Sequence, residues 1–78
     1  MSATLLVNRL RVYRALRRLT QQQLAELAGV SRRSVNAIEN GEFTPSTVLA
    51  FTLARVLGIA ITDLFRLADE TGEWPLVE

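Results

Sequence analysis

Residues 20–41, TQQQLAELAGVSRRSVNAIENG, have the pattern of two short helices joined by a tight turn. Thr20 and Gln23 stand at the spacing of a capping box, in which each side chain bonds a backbone N–H at a helix start. Gly29 follows an apolar segment at the place where a left-handed residue ends a helix most easily. After one further residue, Ser31 can cap a second helix. The pattern predicts two helices whose connection is too short for antiparallel packing.

The second of these helices has two chemically different faces. Val35 and Ile38 form the apolar side, and the helix should stop at Asn40 and Gly41. Another side carries residues at the i, i+3, i+4 and i+7 positions, namely Arg33, Asn36, Ala37 and Asn40. Two helices that cross steeply over a short turn have helix-turn-helix geometry. The second helix is therefore predicted to read DNA.

Composition narrows the possible functions. The chain has 78 residues, of which 49% are hydrophobic, so we expect one small globular domain. It contains no cysteine and no histidine, which argues against disulfides, metal sites, cofactors and histidine-based catalysis. The acidic residues have no nucleophile or metal ligand around them, so an enzyme is not expected. No apolar run approaches the roughly 18 residues of a membrane span, and a cytoplasmic protein without a membrane partner is predicted.

Charge is distributed unevenly along the chain. Residues 1–41 carry seven arginines and two glutamates, a net charge of +5, whereas residues 42–78 carry two arginines and six acidic residues, a net charge of −4. This division predicts that one part of the molecule faces a polyanion. The alternative is a solvated surface on which the charges are segregated by accident.

The residues before the paired helices predict a first helix over residues 5–18. Leu6, Leu10 and Tyr13 recur at helical spacing and are expected to enter the core. A surplus apolar stripe remains, formed by Leu5, Val12 and Leu16. The arginines of this helix are either a solvated face or phosphate contacts.

The chain end also carries apolar residues. Trp74 and Leu76 lie in an otherwise acidic tail, residues 68–78. Such residues usually cover an apolar surface. We therefore expect the tail to pack on the surplus stripe, either within one chain or across a homodimer.

Two further helices are predicted after Gly41. Thr44 can cap a strongly apolar helix that starts at Pro45 and ends at Gly58, and Phe43 is expected to be a buried anchor. Thr62 can cap a short fifth helix over residues 63–67. The predicted fold is thus all-α, with a five-helix domain over residues 1–67 and a short tail.

The chain resembles the Cro and phage-repressor type of helix-turn-helix domain, also called the Xre family. The matching segments are NRLRVYRALRRLTQQQLAELAGVSRRSVNAIENG, the TPS loop and LARVLGIAITDLF, which together span about residues 8–65. The resemblance implies a five-helix, lambda-repressor-like bundle that binds operator DNA as a two-fold dimer. Many relatives have glycine at the position of Arg18, so here we expect the first helix to continue to Leu19.

The resemblance also implies roles for individual residues. Base edges are expected to face four recognition-helix residues: Arg32, Arg33, Asn36 and Ala37. DNA phosphates are expected to meet Gln21, Ser34, Asn40 and Thr44. Arg14 and Glu39 match a structural ion pair that ties the first helix to the recognition helix.

Two hypotheses for function follow. The first is a sequence-specific regulator of double-stranded DNA, in which Arg32 or Arg33 pairs with guanine and Asn36 with adenine in the major groove of a palindromic operator. The second is a protein-interaction module, such as an adaptor or an antitoxin that holds a toxin. Salt-sensitive binding to a duplex would distinguish the two.

Overall fold

The computed structural model describes residues 6–68, which form five helices and one small sheet. The first half contains β1 (Leu6–Asn8), α1 (Leu10–Leu16), α2 (Gln21–Ala28) and α3 (Arg32–Glu39). The second half contains α4 (Thr47–Leu57), α5 (Ile61–Leu64) and β2 (Phe65–Leu67). The predicted five-helix fold is confirmed, but the small sheet was not predicted.

The paired helices have the predicted ends. The Gln23 N–H donates to Thr20 Oγ1 at 3.0 Å, and Thr20 N–H donates to Gln23 Oε1 at 2.8 Å, which completes the capping box. Gly29 has φ +75° and ends α2. Ser31 Oγ accepts from the Ser34 N–H at 3.1 Å and caps α3. These three predictions are confirmed.

The prediction of a first helix over residues 5–18 was wrong at both ends. Asn8 Oδ1 accepts from the Leu10 N–H at 2.9 Å, so the helix starts at Leu10. It ends at Leu16, and Arg18 has φ +56°, a left-handed conformation. The prediction that the helix continues to Leu19 was wrong. Arg18 adopts the left-handed backbone conformation that glycine favours, and this conformation cannot continue a right-handed helix.

The residues before α1 pair with the residues after α5. β1 and β2 are antiparallel, with Leu6 opposite Leu67 and Asn8 opposite Phe65. The predicted fifth helix over residues 63–67 was wrong, since α5 ends at Leu64 and the following residues extend to pair with β1.

Other helix starts also differ from the predictions. Ser46, rather than Thr44, caps α4 by accepting from the Leu49 N–H at 3.1 Å. Ala60, rather than Thr62, is the N-cap of α5. Phe43 is 47% exposed, so it is not the buried anchor that the sequence suggested.

The core lies between α4 and the faces of the other elements that point toward it. α4 contributes four of the buried side chains. The buried apolar residues of the described chain are Leu10, Tyr13, Leu24, Ala25, Val35, Ile38, Ala50, Leu53, Ala54, Leu57, Leu64 and Phe65. Because Val35 and Ile38 lie in this core, the opposite side of α3 must face solvent.

Candidate nucleic-acid interface

The surface of α3 carries most of the residues assigned to DNA. Arg32, Arg33 and Asn36 are exposed, whereas Ser34 and Ala37 are half-buried. The N-terminus of a helix carries a partial positive charge, and Arg32 and Arg33 add two full charges there. This end of α3 is therefore suited to an anionic partner.

Glu39 lies beneath that surface and holds several elements together. Its side chain has no exposed area and accepts from Arg14 Nε on α1 at 2.6 Å and from Arg14 Nη2 at 3.2 Å. Arg11 Nε also donates to it at 3.4 Å. Arg14 uses its remaining nitrogen, Nη1, to bond the Leu19 carbonyl oxygen at 2.9 Å. Arg14 and Glu39 thus join α1, α3 and Leu19, which lies just before the N-cap of α2.

The charge of Glu39 is stabilised by these contacts. Burial alone would raise the pKa of Glu39, but hydrogen bonds from Arg14, Gln21 and Arg11, with the attraction of Arg14, outweigh burial and lower that pKa. The hydrogen bond to Glu39 raises the pKa of Arg14, against the opposing effect of burial. Both partners are therefore ionised at neutral pH.

Gln21, the first residue of α2, reaches α3 through its side-chain amide. Gln21 Nε2 donates to Asn36 Oδ1 at 3.1 Å and to Glu39 Oε1 at 3.1 Å. A primary amide has two N–H donors, so these two contacts use both. The side chain of Gln21 is consequently a bridge between α2 and α3.

Asn40, which ends α3, is held in a similar way. Arg11 Nη2 donates to Asn40 Oδ1 at 2.8 Å, while its Nε contacts Glu39. From the sequence, Arg11 was one of several arginines of the first helix and was not assigned to the site. Its spacing of three residues from Arg14 on one helix face could have indicated a shared partner.

The other assigned residues lie in less connected surroundings. Thr44 is exposed in the loop between α3 and α4. Val12 and Leu16 are 44% and 39% exposed on α1. Leu5, Trp74 and Leu76, which were assigned to dimerisation, lie outside the described residues.

A second apolar surface on α4 was not expected. Val48 is 77% exposed and Phe51 is 56% exposed. With Thr47, Thr52 and Arg55 they line an open groove of about 490 Å³. The residues of α4 are apolar on several sides, so its sequence pattern alone did not separate this surface from the core.

Comparison with known proteins identifies the family. The family model HTH_3, described as helix-turn-helix, matches residues 10–64, which includes all five helices. The chain belongs to the Xre and Cro-like family of DNA-binding helix-turn-helix transcriptional regulators. This membership confirms the resemblance drawn from the sequence.

Several helix-turn-helix relatives match nearly the full length of the described domain. The chain is 48% identical over 63 residues to the uncharacterized HTH-type transcriptional regulator MJ0272 of Methanocaldococcus jannaschii, covering 81% of this chain and 96% of that protein. It is 35% identical over 63 residues to the regulator YgzD of Bacillus subtilis, with the same two coverages.

Solved helix-turn-helix structures have the same arrangement. The restriction-modification controller protein C.AhdI of Aeromonas hydrophila superposes with a TM-score of 0.64 at 36% identity, covering 67% of this chain and 79% of that chain. The clp gene regulator ClgR of Corynebacterium glutamicum superposes with a TM-score of 0.66 at 31% identity. The match covers 69% of this chain and 57% of the ClgR chain. The first of these helix-turn-helix proteins is thus described as a controller protein and the second as a gene regulator.

The described residues of this helix-turn-helix domain contain neither a membrane-spanning helix nor a metal-binding cluster. None of the helices within residues 6–68 is long and apolar enough to cross a membrane. Over the same residues, no three histidine, cysteine, aspartate or glutamate side chains are grouped so that they could hold a metal ion.

Proposed function

We propose that this protein is a cytoplasmic, sequence-specific regulator that binds double-stranded operator DNA with the N-terminal part of α3 in the major groove. The observation that carries the proposal is the exposed face of α3, which presents Arg32, Arg33 and Asn36. Beneath this face, the hydrogen bonds of Glu39 tie α3 to α1 and α2. A recognition helix has to be positioned firmly for its side chains to discriminate between base edges.

Arg32 or Arg33 supplies the main base contact in this proposal. The guanidinium can donate two parallel hydrogen bonds to guanine O6 and N7, and a contact of this kind is worth about 1–3 kcal/mol of discrimination. Ala37 presents its methyl group to the same face and can touch a thymine methyl group. Asn36 completes the set of groups that face base edges.

Phosphate contacts position α3 on the duplex. Gln21 is assigned through its backbone N–H, since the first N–H groups of a helix have no acceptor within the helix and its side-chain amide is used by Asn36 and Glu39. Asn40 retains the donors of Nδ2, because Arg11 occupies Oδ1. Ser34 and Thr44 provide hydroxyl groups, which serve as neutral phosphate donors.

A homodimer is proposed because one domain of this size makes few base contacts. Specific DNA complexes usually reach dissociation constants of about 10⁻⁸ M or lower, and a dimer attains this by binding two half-sites about 34 Å apart. Val12 and Leu16 are the large exposed apolar residues of α1, and we assign them to the contact. The α4 groove is the competing surface.

Selection of bound sequences from a random duplex pool tests the proposal. We expect a palindromic consensus, together with an affinity that falls steeply as salt rises. A failure to bind any duplex at low salt would overturn the proposal and leave the interaction-module hypothesis. None of the contacts within residues 6–68 favours a toxin or adaptor partner over DNA.

A further inference from the structure

The side-chain amide of Gln21 can be oriented from chemistry alone. An amide nitrogen and oxygen are distinguished by their partners rather than by shape. Glu39 is ionised and can only accept hydrogen bonds, so the group that Gln21 turns toward Glu39 Oε1 at 3.1 Å must be its NH₂. The orientation of Gln21 is thereby determined.

The orientation of Asn36 follows from that of Gln21. Gln21 Nε2 carries two hydrogens, one for Glu39 Oε1 and one for Asn36 Oδ1. Each of these oxygens lies 3.1 Å from Nε2. Because the contact with Asn36 needs an acceptor, the Asn36 amide must turn Oδ1 toward Gln21. Its Nδ2, at the opposite edge of the amide group, then remains available as a donor.

All polar side chains assigned to base edges therefore present hydrogen-bond donors. Arg32 and Arg33 carry guanidinium groups, which cannot accept. Asn36 normally offers one donor and one acceptor side by side, the combination that pairs with adenine N6 and N7. Here its acceptor is engaged by Gln21.

We propose that Gln21 is a specificity-determining positioning residue, which holds Asn36 as a donor so that the base Asn36 contacts is guanine. The proposal rests on the DNA-binding function proposed above. It replaces the contact between Asn36 and adenine that was predicted from the sequence. In the major groove only guanine presents two neighbouring acceptors, O6 and N7. Adenine places its N6 amino group, and cytosine its N4 amino group, against the donor of Asn36, while thymine offers only the single acceptor O4 beside its methyl group.

The test compares base preference in matched variants. After selection of the wild-type operator, the position read by Asn36 is the one where Asn36→Ala loses discrimination. Fluorescence anisotropy with each base at that position should show the wild-type protein preferring guanine to adenine by at least about fivefold. Gln21→Leu removes both donors with little change of size, so this ratio should fall toward one.

Two further variants make the result specific. Gln22→Leu is the matched control, because Gln22 donates to Glu26 Oε1 at 3.1 Å on its own helix and does not bridge to α3 in the described contacts. It should keep the guanine preference. Gln21→Lys retains donors toward Glu39 and Asn36 and should also keep that preference. If the loss in Gln21→Leu came from a general loosening of the domain, Gln21→Lys would lose the guanine preference as well.

The outcomes separate this inference from the proposed function. If the wild-type protein selects no sequence, the proposed function fails and this inference fails with it. If the wild-type protein binds a defined operator, three results overturn the inference alone: a preference for adenine or thymine at the Asn36 position, no position that depends on Asn36, or an unchanged guanine ratio in Gln21→Leu.

Discussion

Arg14 Nε on α1 lies 2.6 Å from Glu39 Oε2 on α3, across 25 residues of sequence. The pair is largely shielded, since the Arg14 side chain is 18% exposed and that of Glu39 is inaccessible. The carboxylate also accepts hydrogen bonds from Gln21 and Arg11. The position of the recognition helix relative to α1 and α2 therefore depends on one buried charge.

The first prediction concerns that charge. Glu39→Gln keeps the size of the side chain but leaves the Arg14 guanidinium without its anionic partner. We expect the free energy of unfolding to fall by about 2–3 kcal/mol, as for other charged hydrogen bonds and shielded pairs. Urea unfolding followed by circular dichroism measures this. Glu42→Gln, at an exposed position, is the control, and an equal loss in both variants would contradict the role of Glu39.

The pH dependence of stability provides a second prediction. The pKa of Glu39 is lower in the folded protein than its ordinary value of about 4.3. Its ionised form therefore stabilises the fold above that ordinary value, and the stabilisation disappears as pH falls through the folded pKa. The difference in unfolding free energy between the wild-type protein and Glu39→Gln should be constant near neutral pH and shrink in acid. A difference that is unchanged down to pH 2 would refute the assignment.

A third prediction uses the backbone at Arg18, where φ is +56°. An L-residue in the left-handed region costs roughly 1–2 kcal/mol, and glycine avoids most of this cost. Arg18→Gly should therefore be more stable than Arg18→Ala by about 1 kcal/mol. Comparing these two variants, rather than either with the wild-type protein, removes the effect of the lost guanidinium. Equal thermal midpoints would show that the turn is not strained.

Sequence preference should change with Arg33. Arg33→Ala removes an exposed base-edge donor and should relax discrimination at one base position per half-site, at a cost of about 1–3 kcal/mol on the preferred operator. Arg55→Ala removes the same charge from the exposed surface of α4 and serves as the control. Anisotropy titrations on the operator and its single-base variants decide the matter. An equal loss of affinity on every duplex would mean that Arg33 binds phosphate instead.

Dimerisation should depend on the exposed apolar residues of α1 rather than on the α4 groove. Val12→Glu places a charge in the proposed contact on α1, so sedimentation equilibrium should show a monomer at concentrations where the wild-type protein is a dimer. Phe51→Glu places the same charge in the α4 groove and should leave the dimer intact. The reverse result would move the interface to α4.

Local signals in the sequence determined the centre of this fold. The capping box of Thr20 and Gln23, the left-handed Gly29 and the cap at Ser31 involve groups within three residues of one another, so their spacing predicts the contacts. The inward positions Val35 and Ile38 followed from helical periodicity. The ion pair of Arg14 and Glu39 was predicted from the family pattern, because two residues 25 positions apart cannot be paired from local spacing.

The tertiary structure decided the parts that depend on distant segments. β1 has three residues and becomes a strand only because β2, nearly the whole domain away in sequence, lies beside it. The sequence also left Asn36 as an amide able to donate or accept equally well. Its orientation is decided by Gln21 and, behind it, by the ionised Glu39, because a hydrogen bond requires a donor and an acceptor to meet in space.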